Sequence, residues 1–101
     1  DADFAVVCFG GAARTVEAAI AEAREKGIKA GMFRPITVWP FPERAMARVA
    51  AKVKRILVVE NNAGQMLLQV KAAAGDTPVD FLGRFNGSVI APAEVLARLE
   101  A

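Results

Sequence analysis

The fold of this 101-residue chain is decided by a short apolar run, Ile56-Leu57-Val58-Val59, near the middle of the sequence. A run of aliphatic residues with no polar residue between them is typical of a strand that is buried on both faces. The stretch Phe4-Ala5-Val6-Val7-Cys8-Phe9 has the same character. Strands covered on both faces occur in sheets that lie between two layers of helices. We therefore predict that the Ile56 run is the central strand of such a sheet.

Helical patterns separate the strands along the rest of the chain. The predicted elements, in chain order, are a strand at 4–9, a helix at roughly 13–26, a strand at 30–33, a helix that begins at 42, a strand at 56–59, a helix at about 65–74, a strand at 79–82 and a helix that begins at 92. This alternation predicts an α/β fold, a Rossmann-like three-layer α/β/α sandwich with a mainly parallel sheet. Gly27 and Gly75 are predicted to end the helices that they follow.

The length of the chain suits a single domain, so we expect residues 1–101 to form one compact unit. The sequence starts without Met, directly before a predicted strand. We therefore also expect the chain to be a piece of a longer polypeptide.

The composition limits the kinds of site that the chain can build. It contains no His, one Cys and no acidic cluster at ligand spacing, so the residues for a zinc, iron-sulfur or calcium site are missing. The net charge is +2 and the basic residues lack interleaved aromatic residues, which argues against nucleic-acid binding. No apolar run is long enough to span a membrane, and the N-terminus lacks the layout of a signal peptide. A soluble, cytoplasmic protein is expected.

A proline-rich segment, Arg34-Pro-Ile-Thr-Val-Trp-Pro-Phe-Pro42, follows the second predicted strand. Its prolines fix φ and remove backbone donors, so the segment is expected to be stiff and extended. Large apolar side chains on a rigid backbone are typical of protein interfaces. The predicted subunit-interface residues are Arg34, Ile36, Val38, Trp39 and Phe41. Two alternatives stay open, namely that Trp39 covers the end of its own sheet and that Arg34 only caps a strand.

Two polar turns are candidates for ligand or cleft contacts. Gly10, Gly11 and Arg14 follow the first strand and open a helix, where backbone amides and the helix dipole can hold an anion. A tight turn between strand and helix explains the same glycines, and a solvent-exposed helix residue explains the same arginine. The second turn follows the central strand and comprises Glu60, Asn61, Asn62 and Gln65. Cys8, in the middle of an apolar strand, is predicted to be a buried and unreactive thiol.

Four stretches of the sequence together resemble a known family. They are Phe9-Gly-Gly-Ala-Ala-Arg14, Arg34-Pro-Ile-Thr-Val-Trp-Pro-Phe-Pro42, Ile56-Leu-Val-Val-Glu-Asn-Asn-Ala-Gly-Gln-Met66 and Pro92-Ala-Glu-Val-Leu96. In order and spacing they are similar to the last domain of the α subunit of 2-oxoacid:ferredoxin oxidoreductases, above all the 2-oxoglutarate and branched-chain types. The resemblance covers nearly the whole chain. In that family a Ser often follows the first glycine, so Gly11 departs from the pattern and a side-chain role there is in doubt.

The resemblance implies a fold like the C-terminal domain of transketolase, with one antiparallel edge strand. It implies a complex that oxidatively decarboxylates a 2-oxo acid to an acyl-CoA and reduces ferredoxin. Thiamine diphosphate, magnesium, iron-sulfur clusters and coenzyme A would be bound elsewhere in that complex, and none by this domain. The domain would be a non-catalytic structural part that contacts the other domains of its own α subunit and the other subunits, with ferredoxin a partner through the complex. Whether the fragment also forms a homodimer stays open.

A second hypothesis comes from a different functional class. The chain could instead be a small Rossmann-like module that binds a nucleotide or another anion at Gly10, Gly11, Glu60 and Asn61. An assembly domain should expose the apolar face at 36–41, whereas a ligand-binding module should bury that face and hold a preformed cleft at the strand ends.

Overall fold

The computed structural model describes residues 2–8, 13–34, 42–60, 67–83 and 90–100. Strands and helices alternate through these residues, as the sequence predicts. In chain order the elements are β1 (Phe4–Cys8), α1 (Ala13–Glu25), β2 (Ala30–Phe33), α2 (Glu43–Lys52), β3 (Arg55–Glu60), α3 (Leu67–Ala74), β4 (Val79–Gly83) and α4 (Pro92–Glu100). The predicted α/β fold is confirmed, with small differences at the ends of the elements.

The four described strands form one sheet in the order β2-β1-β3-β4. All of their pairings are parallel, with Phe4 level with both Ala30 and Arg55 and Ile56 level with Val79. β3 lies inside the sheet, which confirms the predicted central position of the Ile56 run. The antiparallel edge strand that the family resemblance implies is not among these four strands.

Helices cover both faces of the sheet, which is why β1 and β3 are almost wholly apolar. α1 and α4 pack on one face against a core of Ala, Val and Leu side chains. α2 and α3 pack on the other face, around Met46 and Ile56. Alternate residues of a strand point to opposite faces, so Val6 joins the first core and Val7 the second. The predicted three-layer arrangement is therefore present in the described part of the chain.

The ends of the helices agree with the sequence except at the start of α2. Gly27 and Gly75 follow α1 and α3 with φ of 85° and 64°, a left-handed conformation that is cheap for glycine because it has no Cβ. α2 begins at Glu43, and Pro42 precedes it with φ −79° and ψ 70°. The proline is thus one position earlier than predicted, where its carbonyl accepts a hydrogen bond from the Met46 amide at 3.0 Å.

The carboxyl ends of β3 and β4 extend beyond their predicted limits. The sequence analysis places Glu60 in a turn, but the structure makes it the last residue of β3, level with Gly83. Gly83, which lies beyond the predicted end of the fourth strand at 82, is the last residue of β4. The physical reason is the parallel ladder between the two strands, whose backbone hydrogen bonds hold a residue in strand conformation whatever its side chain. Glu60 therefore belongs to the edge of the sheet and not to a loop.

Candidate functional site

The carboxyl ends of the parallel strands bring several predicted residues to one edge of the sheet. Cys8 is level with Val59 of β3, and Val7 is level with Phe33 of β2. Arg34, directly after Phe33, therefore leaves β2 close to the level of Cys8. Glu60 lies one residue further along β3. The thiol, the guanidinium and the carboxylate come from three neighbouring strands, an arrangement that chain order alone does not reveal.

Glu60 is the buried charged residue of the described structure, with only 1% of its surface exposed. Glu60 is two residues after Val58 in the same strand, and alternate residues of a strand point to the same face. Because Val58 belongs to the core on the α2/α3 face, the side chain of Glu60 points to that face too. A carboxylate removed from water needs hydrogen-bond donors or a counter-charge, because an uncompensated buried charge is very costly. Glu60 does have an interaction partner. The residue is thus a candidate for holding another group in place at this edge.

Cys8 is fully buried, which confirms the sequence prediction for this residue. Burial raises the pKa of its thiol, the Arg34 cation partly opposes that rise, and the Glu17 carboxylate adds to it. Because burial is the largest cause, the thiol stays neutral and a poor nucleophile at neutral pH. The electrostatic influence of Arg34 and Glu17 also shows that both charges lie near the end of β1.

Arg34 is the one predicted interface residue that the structure describes. Its side chain is exposed at the end of β2, so the guanidinium is accessible to a second surface. The other predicted interface residues, Ile36, Val38, Trp39 and Phe41, lie outside the described residues.

The predicted anion-binding residues are only partly described. Arg14 is exposed near the start of α1. The structure gives no contact between Arg14 and Glu60. Gly10, Gly11, Asn61, Asn62 and Gln65 lie outside the described residues, so the hypothesis of a cleft at the strand ends stays a prediction.

The opposite edge of the sheet contains a feature that the sequence analysis missed. A cavity of about 250 Å3 opens at the amino ends of β1, β3 and β4, between the sheet and α4. Arg55 lies over the ring of Phe4 at its rim, and Arg98 of α4 also lines it. The strand register that pairs Phe4 with Arg55 creates this contact. The only sequence signal for this contact is that one predicted strand begins with an aromatic residue and a basic residue directly precedes another.

The described part of the chain contains no cluster of three or more His, Cys, Asp or Glu side chains that could hold a metal ion. Among its helices, none is both long and apolar enough to cross a membrane.

A family model, described as pyruvate:ferredoxin oxidoreductase core domain II, matches residues 2–95. The chain belongs to this family. This membership confirms the family that the four sequence stretches resemble. The description of the family as a core domain agrees with the α/β sandwich that the described residues form.

Two relatives of this core domain II chain come from Methanothermobacter marburgensis. The 2-oxoglutarate synthase subunit KorA of Methanothermobacter marburgensis is 37% identical over 100 residues, which are 98% of this chain and 27% of the relative. The ketoisovalerate oxidoreductase subunit VorB of the same organism is 33% identical over 99 residues, 98% of this chain and 28% of the relative. The chain thus spans just over a quarter of the length of these relatives.

Two solved structures share the fold of this core domain II chain. One is the 2-oxoglutarate:ferredoxin oxidoreductase from Magnetococcus marinus with 2-oxoglutarate, coenzyme A and succinyl-CoA bound. It superposes with a TM-score of 0.87 at 23% sequence identity, and the matched region is 99% of this chain and 18% of that chain. A split gene transketolase, an inactive β4 tetramer, has a TM-score of 0.82 at 16% identity and covers 97% of this chain and 37% of its own. At these identities the likeness concerns the fold, and it confirms the expected similarity to transketolase.

Proposed function

We propose that this chain is a non-catalytic structural and subunit-interface domain in the α subunit of a 2-oxoacid:ferredoxin oxidoreductase. The complex would oxidatively decarboxylate a 2-oxo acid to an acyl-CoA and reduce ferredoxin. The observation that carries the proposal is the family match over residues 2–95 in a chain that spans only 27% of its relative. A domain of this kind acts as part of a larger polypeptide, so its own residues support assembly.

The cofactors of the complex would be held by other domains and subunits. Thiamine diphosphate, magnesium, iron-sulfur clusters and coenzyme A would supply the decarboxylation, electron transfer and acyl transfer there. The side chains that bind clusters and metals are mainly Cys, His and carboxylates. This chain has no His and one Cys in its whole sequence, and burial keeps the Cys8 thiol protonated. Its residues do not fit a cluster, and no chemical step is assigned to them.

The interface would be centred on the segment that follows β2. Arg34 is exposed at the start of this segment, and both faces of the sheet already have helices packed on them. The cores that the structure describes are built from other parts of the chain than 35–41. Ile36, Val38, Trp39 and Phe41 would anchor the contact, because aromatic side chains give large contact area at low entropic cost.

Glu60 would face the neighbouring subunit and orient a group near the catalytic cleft. Its side chain is only 1% exposed at the exit of an inner strand, so it would act through the groups that it holds in place at this edge and not by direct contact. A carboxylate in such a site makes charge-assisted hydrogen bonds, which are shorter and stronger than neutral ones. Asn61, Asn62 and Gln65 follow directly in the sequence and would complete the contact.

The partners would be the other domains of the same α subunit, the remaining subunits and, through the complex, ferredoxin. The complex would operate in the cytoplasm. A homodimer of the fragment is a further candidate state, in which two copies would cover each other's predicted interface residues.

Charge reversal at Arg34 tests the interface in the complete complex. Arg34→Glu should weaken the association of the subunits, measured by analytical ultracentrifugation, while the melting temperature of the 101-residue chain stays the same. Lys29→Glu is a matched control, because Lys29 is also exposed and lies just before the other end of β2. Equal association of both variants with the partner subunits would contradict the proposed interface.

A further inference from the structure

The cavity at the amino ends of the strands has an apolar floor and a charged rim. Its volume is about 250 Å3, and Leu57 and Leu99 contribute to its wall. Both leucines are buried at 5% and 4% exposure, so the floor is part of the hydrophobic core. Drug-sized ligands occupy pockets of about 300–1,000 Å3. The size of this cavity therefore suits a smaller molecule.

Two arginines on the rim are positioned by groups that carry no charge. The guanidinium carbon of Arg55 lies 4.9 Å from the centre of the Phe4 ring, a distance at which the ring attracts a cation. Arg98 Nη1 donates a hydrogen bond to the carbonyl oxygen of Phe81 at 2.9 Å. A ring and a peptide carbonyl orient a guanidinium without neutralising it. Both side chains are thus restrained at the mouth of the cavity by groups that supply no counter-charge.

The third charge at the rim is the exposed carboxylate of Asp80. Among the described residues, Asp80 forms no ion pair with Arg55 or Arg98. The ion pair found among these residues joins Lys26 to Glu100 instead. A guanidinium has five N–H donors in a planar fork, so donors remain on both arginines. The three charges sum to one net positive charge beside an apolar floor.

We propose that this cavity binds a small organic monocarboxylate with a short apolar chain. The carboxylate would accept hydrogen bonds from Arg55 and Arg98, since the arginine fork matches the geometry of a carboxylate. The apolar chain would lie against Leu57 and Leu99. Asp80 would offset one of the two arginine charges, so the net charge of the rim would match that of one carboxylate. This site is at the edge of the sheet opposite Glu60, so it is separate from the proposed subunit contact.

Titration with two ligands of equal size and different charge tests the proposal. The 101-residue chain, labelled with 15N, would be titrated with butyrate and with its neutral analogue butyramide, and the amide spectrum would report whether the chain is folded. Butyrate should give saturable shifts of the Leu57, Asp80 and Leu99 amides. Butyramide should bind at least about tenfold more weakly, because it lacks the charge that the arginines recognise. Equal binding of the two compounds, or shifts that are scattered over the chain, would overturn the proposal.

Variants test whether the rim arginines bind the ligand directly or whether any positive charge on the protein has the same effect. Arg55→Gln and Arg98→Gln should each raise the Kd for butyrate about tenfold, and Arg55→Lys, which keeps the charge, should raise it less. Lys71→Gln is the matched control, because Lys71 is an exposed cation on α3 at the opposite face. If Arg55→Gln fails to fold, Arg98→Gln on the exposed side of α4 makes the same test. An unchanged Kd in the folded rim variants, or an equal loss in Lys71→Gln, would contradict the site.

Inorganic phosphate tests whether the apolar floor contributes to binding. Near neutral pH it is a mixture of monoanion and dianion, and it has no apolar part to lie against Leu57 and Leu99, so it should bind at least about tenfold more weakly than butyrate. Binding of phosphate as tight as that of butyrate would show a general anion site and would rule out the monocarboxylate assignment.

Discussion

The two ends of the sheet differ in the groups that they bring together. At the amino ends, backbone hydrogen bonds connect the residues that lead into the strands. The Asp3 amide donates to the Lys29 carbonyl and the Lys54 amide donates to the Asp3 carbonyl, both at 2.7 Å. The Ile56 amide donates to the Pro78 carbonyl at 2.9 Å. These contacts join the starts of all four described strands into one structural unit.

At the carboxyl ends the described residues bring together a thiol, a guanidinium and a carboxylate. Cys8, Arg34 and Glu60 leave three adjacent strands there, and Glu60 is buried to 1%. The amino ends therefore connect the strands through the backbone and also contain the cavity with Arg55 and Arg98, whereas the proposed subunit contact is at the carboxyl ends. Open α/β sheets in general bind their ligands outside the carboxyl ends of the strands.

The largest expected effect is a loss of stability at the amino end of β3. Ile56 is fully buried on the α2/α3 face, so Ile56→Ala should lower the free energy of unfolding by about 2–5 kcal/mol, as core truncations do. Leu68→Ala is the control, because Leu68 is 76% exposed on α3, and it should change stability by less than about 0.5 kcal/mol. Urea unfolding measures both. Similar losses in the two variants would show that burial at the amino end does not determine stability.

The second prediction concerns function at the carboxyl end. Glu60→Gln keeps the shape and an acceptor but removes the charge, so turnover or subunit association of the complete complex should fall about tenfold. The melting temperature of the 101-residue chain should stay nearly the same. An unfolded fragment together with an unchanged rate per folded complex would make Glu60 a structural residue.

A smaller effect is expected for Trp39→Ala in the isolated chain. If Trp39 is an interface anchor, its truncation should lower fragment stability by less than about 1 kcal/mol. Its fluorescence should be quenched by acrylamide, and partner subunits should reduce the quenching. A loss of about 3–5 kcal/mol, typical of aromatic core truncation, would place the side chain in the core instead.

The smallest effect is the pH dependence due to Cys8. Burial raises the pKa of this thiol in the folded state, so its contribution to stability is present below the pKa of the unfolded thiol, about 8.5, and is lost at higher pH. Between about pH 6 and pH 8 the melting temperatures of the wild type and Cys8→Ala should therefore keep a constant difference. At about pH 10 the unfolded thiol ionises, and the wild type should lose more stability than the variant. Parallel curves of melting temperature against pH for the two proteins, over the whole range, would show that burial does not raise the pKa of the thiol.

The fold was predictable because its signals are local. The apolar runs at 4–9 and 56–59 indicate strands buried on both faces, and Gly27 and Gly75 mark helix ends where left-handed backbone is needed. These patterns give the order and type of the elements. The exact end of β3 was missed, because the hydrogen bonds to β4 that keep Glu60 in the strand come from a segment far along the chain.

The sites were predictable only in part, since they depend on strand register. An acidic residue after an apolar run made Glu60 a candidate, whose role stays a prediction, and the apolar neighbours of Cys8 indicated the burial that the structure confirms. The contact between Arg55 and Phe4 requires the pairing of β1 with β3, and the bond from Arg98 to Phe81 requires the packing of α4 beside β4. No local sequence pattern indicates either of these two contacts.

The most direct measurement compares the isolated 101-residue chain with the assembled complex. Calorimetry with thiamine diphosphate and 2-oxo-acid-dependent reduction of a viologen dye would be recorded for both. The complete complex should bind the cofactor and reduce the dye, whereas the isolated chain should give neither binding heat nor reduction. Measurable turnover by the isolated chain would contradict an assembly role for this domain.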